Sequence, residues 1–135
     1  MLVATLGLAL PAAADEQKVK VPKSGNWTGP RKVDMVVSGK SIDLLAFTFP
    51  CRKTKGRTSL NSIALRKTSE GYKFSVSVHG NVSYQDDHVD QNGVISIGGQ
   101  FNRRGTTVAG RFRVTTKHCG DTGKLDWSAK YGSGA

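Results

Sequence analysis

Apolar and polar side chains alternate with a period of two along most of the chain. Between positions 72 and 78, Tyr72, Phe74, Val76 and Val78 fall on one parity and Lys73, Ser75 and Ser77 on the other. An extended strand sends successive side chains to opposite faces, so this pattern predicts a strand with one dry face. The same reading holds for Val108, Phe112 and Val114 against Arg111 and Arg113, and for Leu125, Trp127, Ala129 and Tyr131 against Lys124, Asp126, Ser128 and Lys130. Weaker alternation marks 33–37 and 95–101. The run 42–49 is apolar on both parities, which predicts a central strand covered on both sides. Turn-forming clusters fall between the runs at 38–40, 69–71, 91–93, 103–105 and 120–123. Strands spaced by roughly ten residues, with sixteen glycines in the chain, predict an all-β domain: a single antiparallel β-sandwich or closed β-barrel of about eight strands.

The first residues break this pattern. An apolar run over 2–10, then Pro11 and the small residues Ala12, Ala13 and Ala14, fits an export signal cleaved after Ala14, and it is too short for a membrane span. It lacks the basic opening of most such signals, as a start assigned too far downstream would leave it. The expected organisation is a signal peptide over 1–14, a polar flexible lead-in over 15–24 and a β-domain over 25–135, delivered outside the cytoplasm as a secreted or cell-envelope protein. In that setting the two cysteines, Cys51 and Cys119, are expected to form a disulfide. Neither stands at a spacing typical of a metal site.

Charge narrows the partners. The chain carries a formal net charge of +10. Arg52, Lys53, Lys55 and Arg57 crowd one stretch after Cys51, and Arg111 and Arg113 share the polar face of one strand. These six are the candidate anion-binding residues, and a surface built from them attracts polyanions such as cell-surface polymers or acidic glycans. Nucleic acid is not expected, because the aromatics fall on the apolar parity rather than beside the cations as a stacking platform requires. Asp86, Asp87, His88 and Asp90 form the densest acidic cluster. From His88 the string resembles the opening of a calcium loop, but His stands in place of the first oxygen ligand and Gly99 in place of the closing glutamate. No metal and no cofactor is expected. No nucleophile elbow, P-loop or zinc-protease motif is present, and His79, His88 and His118 lie in separate segments, so no catalytic residue is assigned.

Two resemblances add to this. Gly25-Asn26-Trp27 is similar to the G-x-W signature that opens lipocalin-like and avidin-like barrels, which implies a Trp closing one barrel end and a small-molecule pocket at the other. Over nearly the whole chain, the early Gly25-x-Trp27-x-Gly29, the two cysteines, Gly99-Gln100-Phe101, Gly110-Arg111-Phe112 and the terminal Gly123-x-x-x-Trp127-x-Ala129 strand resemble small secreted bacterial β-domains of uncharacterised function. The leading expectation is therefore an exported, non-enzymatic binding or structural domain acting through its basic surface. A small-ligand carrier is the alternative and an envelope-associated hydrolase the third reading.

Overall fold

The computed structural model describes residues 18–132. The expected signal peptide, the start of the lead-in at 15–17 and the tail at 133–135 lie outside the described residues. Every regular element within them is a strand: β1 (Gly25–Gly29), β2 (Val33–Ser38), β3 (Ser41–Cys51), β4 (Thr54–Ala64), β5 (Arg66–Thr68), β6 (Gly71–Tyr84), β7 (Val89–Phe101), β8 (Thr107–Thr116), β9 (Gly120–Asp121) and β10 (Leu125–Tyr131). Among the described residues no helix is long and apolar enough to cross a membrane.

The hydrogen-bonded path runs β1-β2-β3-β4-β6-β7-β8 and returns to β1 through β10, which pairs with both β8 and β1. Eight antiparallel strands thus form a ring-like sheet, with β5 and β9 as short additions on β6 and β8. Closing the path leaves fewer edge strands to pair with other chains. Inward parity positions supply the core, where Trp27, Met35, Leu45, Phe47, Phe49, Ile95, Phe101 and Phe112 are fully buried and fill the centre of the ring.

Glycines let the second tryptophan seat itself. Trp127 stands opposite Gly110, which stands opposite Gly99. A Cβ on Gly99 would come within 2.8 Å of the Trp127 ring, and one on Gly110 would overlap the carbonyl of Gly98. That carbonyl accepts the indole N–H of Trp127 at 2.8 Å.

Two local expectations are corrected. β3 is not covered on both sides; Asp43 is exposed. A bulge opposite Val36 and Val37 switches its parity, so Ile42 and then Leu45, Phe47, Phe49 and Cys51 all point inward. The apolar run on both parities records this switch. Nor is there a turn at 91–93, since these residues lie within β7 and Gly93 pairs with Gly80. A Cβ at Gly93 would lie 2.9 Å from Val82, so this glycine answers to packing. The hairpin turns instead at 85–88, where Asp87 adopts a left-handed backbone with φ 69°.

Because the strands alternate in direction, the turns at 30–32, 52–53, 85–88 and 117–119 gather at one end of the ring. The disulfide Cys51–Cys119 lies there and joins the end of β3 to the segment after β8. β3 and β8 are four strands apart in either direction around the ring, so the segment after β8 reaches across the ring mouth to bring Cys119 to Cys51, their Cα atoms 5.1 Å apart. At the other end the lead-in is hydrogen-bonded to the β7–β8 turn, Lys20 N–H to Arg103 O at 2.8 Å and Lys23 N–H to Gly105 O at 3.0 Å. There the indole of Trp27 donates to Lys23 O at 2.9 Å and packs edge-on against Phe101.

Candidate functional site

The disulfide end collects most of the chemistry, in two adjoining parts. The first is a polar plug inside the ring mouth. A register shift in the β6–β7 pairing between Gly80 and Val82 sets Asp90 opposite the inward-facing Val82, and its side chain is only 15% exposed. The Tyr84 hydroxyl donates to Asp90 at 2.7 Å and lies 2.8 Å from Thr116 Oγ1, which accepts the Cys119 N–H at 2.9 Å. His118 N–H also donates to Asp90, at 3.2 Å. The donors around Asp90, the Tyr84 hydroxyl first, hold its carboxyl below the usual range, whereas burial pushes the Tyr84 phenol up to about 12.

Further out, the rings of His88 and His118 stack with centroids 4.1 Å apart, and His118 Nε2 lies 3.2 Å from Asp86 Oδ2. The backbone N–H of His88 is the main cause of a lowered pKa at Asp86. The four acidic-segment residues thus take separate places: Asp90 in the mouth, Asp86 and His88 at its rim, Asp87 in the strained turn. Among the described residues no group of three or more His, Cys, Asp or Glu has an arrangement that could hold a metal ion.

The second part is a basic surface. Arg52 and Lys53 form the tight β3–β4 turn, with Arg52 left-handed at φ 52°, while Lys55 and Arg57 stand on β4 rather than in a loop. Arg52 and Lys53 border a hollow floored by Cys51 and walled by Gln85, His118 and Asp86, whose carboxylate is engaged by His118 rather than by either cation. Lys55 and Arg57 border a neighbouring hollow that shares Gln85 and adds Arg31, Lys32, Thr48 and Tyr84. Arg31 and Lys32, which the sequence reading did not single out, sit in the β1–β2 turn with φ 65° and 51°. Two left-handed non-glycine residues in one turn cost roughly 1–3 kcal/mol each. The available signal was the run Pro30-Arg31-Lys32 between two strands.

Arg57 is held by its own fold. Its guanidinium donates to Lys32 O at 2.9 Å, to Thr48 Oγ1 at 3.1 Å and to Asp34 at 3.0 Å, which pins the β1–β2 turn across β3. Arg111 and Arg113 lie apart, on the outer face of β8 beside Ser75, Ser77 and Ser96. Arg111 pairs with Asp126 at 3.3 Å. Arg113 grips Asp121 with two nitrogens and holds that carboxyl down at about 2. Lys32, Arg52, Lys53 and Lys55, by contrast, make no ion pair among the described residues.

No protein-family model, curated protein or solved structure matches the chain at a significant level.

Proposed function

We propose that the protein is an exported, non-enzymatic binding domain that engages an anionic polymer or acidic glycan at the cell envelope through its disulfide end. One observation carries this reading: Lys32, Arg52, Lys53 and Lys55, without carboxylate partners among the described residues, line two hollows that meet at Gln85. Cations left uncompensated side by side repel one another, and an extended polyanion relieves that repulsion at several sites at once. The locally neutralised Arg111 and Arg113 have less charge to offer, so the binding set moves from the outer face of β8 to the disulfide end, where Lys32, Arg52 and Lys53 stand in turns and Lys55 at the start of β4. The filled interior of the ring favours surface binding over the carrier reading.

The test is binding to two soluble probes, a polyphosphate and a polyuronate, across a salt series. Binding should weaken steeply with salt, because exposed charges are screened within about 10 Å at 0.1 M. The combined Arg52→Glu, Lys53→Glu and Lys55→Glu variant should lose affinity about tenfold or more while melting as the parent does. Arg111→Glu with Arg113→Glu should cost much less. Equal losses from both sets would mean that only net charge is read, and absence of binding at low salt would end the proposal.

A further inference from the structure

The ring is not uniformly zipped. β4 and β6 pair only through Gly56 with Tyr84, Arg57 with Ser83 and Thr58 with Val82. Pairing to β6 resumes in β5, at Arg66 with Lys73, Lys67 with Tyr72 and Thr68 with Gly71. The registers on the two sides of the interval are out of step by one residue, and Ser62 within it takes a left-handed backbone with φ 56°. Over the interval, 59–61, 63 and 64 of β4 are paired to β3 and 74–80 of β6 to β7, and no pairing joins the two across the gap among the described residues. The result is a seam in which two strands present backbone N–H and C=O groups to one hollow.

Three features of the seam point to an occupant. An unpaired strand edge is a template for another extended chain. The floor is apolar, with Leu60, Ile63 and Val76 beneath and Val78, on an inward parity, left 38% exposed. At its β5 end Arg66 stands directly opposite Lys73, a like-charge cross-strand pair with no ion pair among the described residues, and no carboxylate lines the hollow. Like charges set opposite each other are unfavourable, and an acidic occupant would compensate them.

We propose that the seam between β4 and β6 binds an extended peptide segment of a partner protein by strand addition, the segment being apolar at alternate positions and acidic where it passes Arg66 and Lys73. The main-chain groups of the seam supply affinity, and Val78 with its neighbours reads the alternate side chains. This surface is separate from the basic turns at the disulfide end.

A suitable probe is the capped synthetic peptide Glu-Val-Thr-Val-Thr-Val-Glu, which reads the same in both directions and can enter in either. In amide hydrogen exchange on the full domain, the peptide should slow exchange of those amides of 59–64 and 74–80 that point into the seam, away from β3 and β7, by about tenfold or more. A peptide with the central Val replaced by Pro should bind at least about tenfold more weakly, because it loses a backbone donor and the extended pairing. Arg66→Glu with Lys73→Glu should abolish the protection, whereas the Arg52→Glu, Lys53→Glu and Lys55→Glu variant should keep it, so failure of the anion-binding reading does not touch this result. The proposal is overturned if millimolar peptide gives no protection, if the Pro peptide binds equally well, or if the same amides are already as protected as those between β3 and β4. Protection that grows with protein concentration without peptide would put a second copy in the seam and overturn it as well.

Discussion

Tyr84 ties the polar plug to the core, since its ring is buried and its hydroxyl reaches Asp90 and Thr116. Its phenol is raised from 10.0 to about 12, chiefly by burial. Below pH 10 the phenol is neutral in both folded and unfolded chains, and its contribution is fully present. Between 10 and about 12 the unfolded chain ionises first, so stability falls over that window with a slope of about one proton. Tyr84→Phe should remove this component of the alkaline slope, and should lower stability near neutrality by about 1 kcal/mol for each hydrogen bond lost. Denaturant unfolding at stepped alkaline pH, with tyrosinate absorbance followed in parallel, checks both; an unchanged slope in the variant would contradict it. At this scale the sequence revealed the parity of Tyr84 poorly, because its strand was read only to Val78. It also hid the inward place of Asp90, because parity counted along a single strand carries no mark of a bulge in the pairing.

β7, β8 and β10 meet through absent side chains. Gly99 and Gly110 leave the space that the Trp127 indole occupies, and the indole in turn bonds Gly98 O. Gly99→Ala should therefore destabilise the domain by about 1–3 kcal/mol, as overpacking does where backbone and ring cannot both move. Urea unfolding measures it, and an unchanged midpoint would show that the ring yields freely. The alternation of β6, β8 and β10 was legible because their apolar side chains keep to one parity, even where Val78 and Tyr131 on that parity are left exposed. β4 was not, since Arg57, Ser59 and Asn61 face outward while Gly56 and Thr58 face in, leaving little apolar signal on either parity. The basic turns were legible as charge alone. That Arg57 is spent on Lys32 and Asp34, and that Lys32 stands beside it in the same hollow, depends on β2 lying beside β3 and so on contacts distant in sequence.

At the scale of the whole molecule the expectation of an antiparallel all-β domain with one disulfide agrees with the structure, in which about eight strands were expected and eight complete the ring. Which strands close it was not legible, because β1 and β10 pair across almost the whole length of the described residues and no local pattern marks such a distant partner. The cross-ring disulfide has a mechanical consequence. β4 to β8 lie inside the covalent loop, while β1, β2, nearly all of β3, β9 and β10 lie outside it. A pull applied to both ends of the chain can peel only the outer strands; the load then passes from Cys51 straight to Cys119, and the strands between them bear none of it. Stretched singly in an optical trap, the oxidised molecule should yield a contour length shorter than the reduced one by the slack of 68 residues, about 230 Å at full extension.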